Sequence, residues 1–478
     1  MVNFFFKVYG CQANVADSEG ISRYLEELGC SRVAQERDAD LILVVSCAIR
    51  AKAEQKMFSY VGRLKKFRLT RSYLKIGVIG CVASYRKSEI LDRFHNISFA
   101  HGARDDMRAL QAILADVVVE LEKIKLVCVS GEKPEENKRV RDVAKWFKPA
   151  MSDEKRIVTH GGGTRGAKEN LSGAKAFQSS YVNISTGCNN FCSYCIVPFA
   201  RGREVHYAMD SIIERVKVDV ASGVREIHLL GQNVNSYFDP DSGERFATLL
   251  ERVAQVPGNF WVKFMSPHPR DMTTDILEIM NRYPEKLCAW IHHPLQSGSN
   301  RILELMNRPY TVEKYLSQIY EMREKLPNIT ISTDVIVGFP GETQDDFEKT
   351  MAVLEAVRFD NVFSFIFSPR CHTKAYDMKD PLTYAEKHAR LEILQAVVKE
   401  HSHERNKTLI GKKVRAIVER KGERGFLIAT TEGNKHIRLD SSDEAFVNEF
   451  VMVKINSAGV VYLDGEIFDE KVSCKQCG

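Results

Sequence analysis

No stretch of the 478-residue sequence is apolar for long enough to span a bilayer, and none opens the chain as a secretory signal would. Phe4, Phe5 and Phe6 begin an apolar run, but Lys7 interrupts it and Tyr9-Gly10-Cys11 ends it, so the segment reads as a strand. A dominant charge sign is also missing: 68 Lys and Arg stand against 63 Asp and Glu, a net of +5. That excess is too mild to argue for nucleic acid by itself, so any basic surface must be local. With 44% hydrophobic and 27% charged residues, the chain is neither disordered nor fibrous. Cysteine is what it does not lack. Twelve cysteines without an export signal point to a reducing compartment, where thiolates serve as ligands or nucleophiles. The expected home is cytoplasmic, with no membrane partner.

The length predicts two to four domains. Three β-then-α units open the chain, with apolar strands at residues 4–9, 41–45 and 75–79. Helical spacing follows at Ile21, Tyr24, Leu25 and Leu28, and again over residues 51–66. Continuous apolar strands alternating with helices predict an α/β, doubly wound parallel sheet over residues 1–128. Residues 129–180 lose the pattern. They are dense in charge at 132–141 and carry Gly161-Gly162-Gly163-Thr164-Arg165-Gly166, which reads as a linker rather than a phosphate loop, because no strand–loop–helix context surrounds it. Six further strands, at 181–185, 225–230, 260–266, 287–291, 329–337 and 361–368, alternate with helices and predict a partial (β/α)6 barrel over 181–407. Short strands at 413–419, 425–429, 436–439, 450–455 and 460–467 predict a small all-β barrel over 408–472, with a tail at 473–478.

Each of the six barrel strands is followed by a polar, motif-like loop. Strand C-terminal ends converge on one face in such barrels, and active sites assemble there. Cys188, Cys192 and Cys195 lie in the first of these loops. Three thiolates so close suit an iron–sulfur cluster or a metal site, and the next cysteine, Cys288, is too distant in sequence to close a four-cysteine set. Cys11, Cys47 and Cys81 each fall just past a predicted strand, at intervals of about one βαβ repeat. A parallel sheet would place all three along one edge, as a second three-cysteine set or as three unrelated core thiols.

The run Cys188-x3-Cys192-x2-Cys195, with aromatic Tyr194 before its third cysteine, resembles the radical S-adenosylmethionine (SAM) superfamily. Together with Tyr9-Gly10-Cys11-Gln12-Ala13-Asn14, Cys47-Ala48-Ile49-Arg50, Gly80-Cys81, Arg201-Gly202-Arg203-Glu204, Gly231-Gln232-Asn233-Val234-Asn235 and Gln296-Ser297-Gly298-Ser299, it is similar to the methylthiotransferase family of those enzymes. The resemblance implies a radical SAM barrel at the centre and a TRAM-like RNA-binding barrel at the end. It implies SAM and two 4Fe-4S clusters, one on Cys188, Cys192 and Cys195 and an auxiliary one on Cys11, Cys47 and Cys81. By the same resemblance Tyr194, Gly231, Gln232, Asn233, Gln296, Ser297 and Asp334 contact SAM, a strand-end cap being the other reading of Asp334.

The branch implied methylthiolates carbon 2 of an isopentenylated adenosine beside the tRNA anticodon. Sister branches act on threonylcarbamoyl-adenosine in tRNA or on a ribosomal-protein aspartate. A non-catalytic iron–sulfur RNA-binding protein is the reading from another class, and it predicts that SAM is not cleaved. The implied partners are a tRNA anticodon stem-loop, a low-potential electron donor and an iron–sulfur assembly system, for a monomeric enzyme. Arg201, Arg203, Lys412, Lys413, Arg415, Arg420 and Lys421 are the candidate phosphate contacts. The sequence departs from the family at Val45-Ser46-Cys47, where Asn-Thr-Cys is usual, and at Cys371-His372, where Pro-Gly is usual. Cys474 and Cys477 read as part of the tail.

Overall fold

The structure, a computed structural model, describes residues 1–49, 51–130, 163–165, 179–422 and 425–469. Most of the expected linker, Arg50, and the tail with Cys474 and Cys477 lie outside the described residues. The chain forms two compact units. One comprises residues 1–163 with 187–189 and 196–204; the other comprises 164–186, 190–195 and 205–478.

The first unit is built on a parallel five-stranded sheet in the order β2-β1-β3-β4-β5, with β1 Asn3–Tyr9, β2 Ser31–Arg32, β3 Leu41–Ser46, β4 Lys75–Gly80 and β5 Phe99–Gly102. Strand β3 is buried throughout, and its alternation explains why the sheet is covered on both faces. Leu41, Leu43 and Val45 pack with Ile21 and Leu25 of α1 (Gln12–Glu27) and with Leu110, Leu114 and Leu121 of α4 (Met107–Ser130). Ile42 and Val44 meet Met57, Val61 and Leu64 of α2 (Ala51–Thr70), and Val82 and Ile90 of α3 (Cys81–Arg93). The predicted doubly wound sheet is present. Two strands and one helix, β2, β5 and α4, add to the three units expected. The order reverses between β1 and β3, the position where open α/β sheets hold ligands beyond their strand ends.

The second unit carries parallel strands β7 Ser179–Asn183, β10 Glu226–Leu230 and β11 Trp261–Phe264 in one sheet, with the short β6 Gly163–Arg165 at its edge. A second sheet holds β12 Trp290–His292, β13 Thr330–Val337 and β14 Asn361–Ile366, all parallel. The Val262–Leu287 bridge joins the two, giving six strands in sequence order, a partial (β/α)6 barrel. The fourth strand pairs over a shorter span than expected, because the chain turns tightly where Trp290 N–H donates to Cys288 O at 2.7 Å. β8 Ser185–Thr186 and β9 Val205–His206 form a small antiparallel pair beside the first loop.

The last five strands, Lys413–Lys421, Leu427–Thr431, His436–Leu439, Phe450–Ala458 and Tyr462–Asp469, close into a barrel. This barrel belongs to the same compact unit as the six-strand arc. Fully buried Trp261 of β11 packs in its core with Phe450, Leu439 and Val453. Arg415 donates to Glu285 O and Asn259 Oδ1, both at 2.7 Å, and lies over the Trp261 ring. Among the described residues no helix is long and apolar enough to cross a membrane.

Candidate active site

In the first unit, three thiols gather at the carboxyl ends of β1, β3 and β4. Cys11 is the N-cap of α1, its carbonyl accepting from Asn14 N and Val15 N. Cys47 follows β3, its N–H donating to Tyr9 O at 2.9 Å. Cys81 is the first residue of α3. Asn14, fully buried, lies between two of them: Cys11 Sγ is 3.4 Å from its Oδ1, and its Nδ2 donates toward Cys81 Sγ at 3.8 Å. Two glycines make room for this amide. A Cβ on Gly10 would stand 2.5 Å from Asn14 Oδ1, and Gly80, at φ +99°, approaches Asn14 Nδ2 at a distance that only a bare Cα allows comfortably.

The third part of the site is a cation. Arg201, on the short helix α5 (Val197–Arg201), is buried and pairs with Asp17 at 2.6 Å. Cys11, Asn14 and Asp17 follow one another at helical spacing of three along one face of α1. The hydrogen bond with Cys47 and the charge of Arg201 bring the Cys11 thiol down to about 6, whereas Cys47 is pushed up by its link to Cys11 and by burial. Burial raises Cys81, against the opposing pull of Arg201. Among the described residues no three His, Cys, Asp or Glu side chains converge on one ion-sized position. Three thiolates that each meet a separate iron of a cluster do not need to. Three soft donors, two of them at helix N-termini and under the pull of a buried cation and one already acidic, suit an iron–sulfur cluster.

Arg201 therefore differs from its expected role. Its guanidinium is committed inside the first unit and is not a surface contact for phosphate. Arg203 is exposed, and its carbonyl runs so close to Gly187 that a Cβ there would lie 2.1 Å away. Cys188, from the same segment, is buried and its N–H donates to Gly202 O. Arg415 is likewise withdrawn from the expected phosphate set by its bonds to Glu285 and Asn259, and Lys421 pairs with Glu444.

The second unit holds Cys192 and Cys195. Their loop is seated by Ser193, whose N–H donates to Met306 O, whose hydroxyl donates to Leu305 O, and whose carbonyl accepts from Ala375 N. Buried Arg308 donates to Cys192 Sγ at 3.5 Å, to Tyr310 Oη at 3.0 Å and to Pro294 O. Tyr194 packs against Ile302, Met306 and Phe339, and burial holds its phenol well above its ordinary value.

The loops after β10 and β11 are locked to each other. Asn235 and His268 exchange reciprocal bonds at 3.0 and 2.7 Å, and Asn233 Nδ2 donates to Asp271 Oδ2 at 2.7 Å. Gly231 is a forced glycine, since a Cβ would meet Ser185 Oγ at 2.6 Å. Gln232 lies half-buried beside it. Several buried polar atoms on these strand ends have no partner among the described residues: Ser185 Oγ, Asn233 Oδ1, His268 Nε2 and His293 Nδ1. Orphaned buried atoms of this kind call for a polar ligand.

Gln296, at φ +69°, donates its N–H to Asp334 O, which aligns it with β13. Asp334 is mid-strand, which excludes the cap reading. With Ser332 it faces away from the helix-covered Ile331 and Val335, and both bond to His292, at 3.3 and 3.1 Å. Ser297 is fully buried, its hydroxyl accepting from Ser299 N and lying 3.4 Å from the Thr350 hydroxyl, so it shapes the loop. Glu342 likewise is bound to Gly338 N and Arg390. Asp17, His292 and Arg308 are not singled out by sequence reasoning, and Asn14 enters it only as the last residue of the Tyr9–Asn14 motif. Only the spacing of Asn14 and Asp17 from Cys11 signals any of them.

Comparison with known proteins agrees with this geometry. The radical SAM superfamily profile matches residues 182–354, and that of uncharacterized protein family UPF0004 matches residues 3–102. A tRNA-2-methylthio-N(6)-dimethylallyladenosine synthase of Thermodesulfovibrio yellowstonii is 37% identical over 463 residues, 97% of this chain and 98% of that protein. The protein of that name from Carboxydothermus hydrogenoformans is 36% identical, again over 97% and 98%. This chain belongs to the methylthiotransferase family of radical SAM enzymes. In methylthiotransferase terms, the first unit contains the UPF0004 region and the second contains most of the radical SAM region. A solved radical SAM methyltransferase, TsrM from Kitasatospora setae, shares the fold at a TM-score of 0.50 and 13% identity, over 79% of this chain and 77% of that one.

Proposed function

We propose that this methylthiotransferase modifies carbon 2 of an isopentenylated adenosine next to the tRNA anticodon, using SAM and two 4Fe-4S clusters. The observation that carries the reading is the presence of two three-cysteine sets in one chain. One is the continuous Cys188–Cys195 run; the other is drawn from three strand ends around Asn14 and Arg201. Near-full-length likeness to enzymes named for that product supports the choice of base.

Cys188, Cys192 and Cys195 hold one cluster, and Cys11, Cys47 and Cys81 hold the auxiliary one. When bound, the clusters and SAM supply radical chemistry for an unactivated aromatic C–H, together with the sulfur and methyl of the product; acid–base chemistry does not reach such a hydrogen. Around them, the chain's residues orient and exclude water. Arg308 and Ser193 fix the Cys192–Cys195 loop. Tyr194 walls it on the apolar side, which keeps water from the reacting centre. Ser185, Asn233 and His268 offer their unpaired polar atoms to SAM beside Gly231, Gln232 and Gln296. The His292–Asp334 pair forms a polar patch on the inner strand face. The target base lies in a single-stranded loop, so little unpairing is needed to bring it into a pocket. Arg203 and the basic residues of the terminal barrel left without fixed internal roles, Lys412 and Arg420, contact the RNA backbone. A low-potential electron donor and an iron–sulfur assembly system complete the partners of a cytoplasmic monomer, organised as domains at 1–128, 181–407 and 408–472.

Anaerobically reconstituted protein with dithionite, SAM and isopentenyladenosine-bearing tRNA tests this. Digestion to nucleosides should give a methylthio mass gain on that nucleoside. 5′-Deoxyadenosine without that product would move the substrate to a sister branch, and no SAM cleavage would end the enzyme reading.

A further inference from the structure

Helix α2 carries six lysines and arginines against a single acid, Glu54. Its excess of five is as large as that of the entire chain. Glu54 is buried and paired with Arg86, so it does not temper the outer surface. The distribution on the helix is sharper than the total. At 100° per residue, Lys52, Lys56, Arg63 and Lys66 fall within a wedge of about 80°, spread over about 21 Å of helix axis. Ser59 and Thr70 are the other residues of that wedge, and all six are exposed. The apolar face, Met57, Val61 and Leu64, lies on the other side against the sheet.

Lys52, Lys56 and Lys66 have no acidic partner among the described residues, and Arg63 lies over the Tyr60 ring at 5.5 Å. Several basic groups elsewhere on the surface are neutralised where they stand. Lys349 pairs with Asp345, Arg438 with Asp464, Lys421 with Glu444, and Lys325 with Glu278.

We infer that this stripe of α2 is a docking surface for the phosphate backbone of the RNA substrate, an inference that rests on the tRNA reading above. Charge complementarity selects the occupant. Three compact ammonium groups and one guanidinium, rowed along a straight helix without acids, match a line of phosphates. The wedge contains no aromatic or aliphatic anchor. An acidic redox protein would need one at the desolvated centre of its interface, whereas backbone contacts to nucleic acid do not. Contacts of this kind position the RNA without reading its bases, so the stripe supports affinity and not choice of nucleotide.

The test is a potassium chloride titration of tRNA binding to the reconstituted holoenzyme by fluorescence anisotropy, comparing wild type with the variant Lys52→Gln/Lys56→Gln/Arg63→Gln/Lys66→Gln. All four side chains are exposed, and unchanged thermal melting confirms the fold. The variant should bind more weakly at low salt by at least about tenfold. Its log–log salt slope should be shallower by about 3, since each phosphate that is no longer neutralised removes roughly 0.7–0.9 from the slope. SAM cleavage without tRNA should be unaffected. An unchanged slope and affinity would overturn the inference while leaving the tRNA reading intact, and a wild type that does not bind tRNA would overturn both. A variant that binds tRNA normally, but turns over with dithionite and not with an acidic flavoprotein donor, would assign the stripe to that donor instead.

Discussion

Arg201 lies inside the first unit, ion-paired to Asp17 and acting electrostatically on the Cys11 and Cys81 thiols. Three thiolates beside a carboxylate would repel one another in a buried setting, and the guanidinium offsets that repulsion. Arg201→Met strands Asp17 without its cation. It should cost about 3–5 kcal/mol, read as a lower Tm, and should halve the iron bound by the reconstituted protein. Wild-type melting and iron content would show that the pair is dispensable. Arg308 plays the corresponding part at Cys192 as a positioning residue. A cation held on a ligand sulfur favours the reduced, more negative cluster. Arg308→Met should therefore retain iron at Cys188–Cys195 but shift its midpoint potential to more negative values in an EPR-monitored titration. An unmoved potential would reduce Arg308 to packing.

The six proposed ligand cysteines are legible in the sequence because each stands next to an unmistakable pattern, an apolar strand end or a short C-x3-C-x2-C spacing. Arg201 is misread there for a physical reason. An Arg-Gly-Arg-Glu run has the composition of an exposed basic loop, and its burial depends on Asp17, 184 residues away. Ser297 is over-read likewise, since its hydroxyl is taken by Ser299 and Thr350, the latter 53 residues away, and no local pattern announces such a partner.

Among elements, strands are easier to foresee than their partners. β3 is a six-residue buried run and could hardly be anything else. Helix α4 escapes the sequence reading although Leu110, Leu114, Val117, Val118 and Leu121 repeat at helical spacing, because the charge-rich segment beyond it draws the boundary. The two-residue β2 has too little sequence to signal a strand. The terminal barrel is visible as short strands between turn residues, but its attachment is not. Trp261, in a strand of the six-strand arc, fills that barrel's core with its ring centre 4.9 Å from that of Phe450. Trp261→Ala should cost about 3–5 kcal/mol, appearing in thermal melting as a lower Tm, with the terminal barrel melting ahead of the rest. A single transition at the wild-type temperature would mean that Arg415 and its partners hold the barrel unaided.

For the whole molecule, the near balance of charge conceals two local concentrations. Thiols gather at strand ends, and cations line α2. The first concentration makes two separable centres in one chain, and the account requires both for the product and only one for breaking SAM. Single-turnover assays with isopentenyladenosine-bearing tRNA, following 5′-deoxyadenosine and the methylthio nucleoside together, separate the two requirements. Cys188→Ala should abolish both products, and Cys47→Ala should abolish the methylthio nucleoside while leaving 5′-deoxyadenosine formation. Full methylthiolation by Cys47→Ala would contradict the assignment of a second sulfur-bearing centre to the ends of β1, β3 and β4.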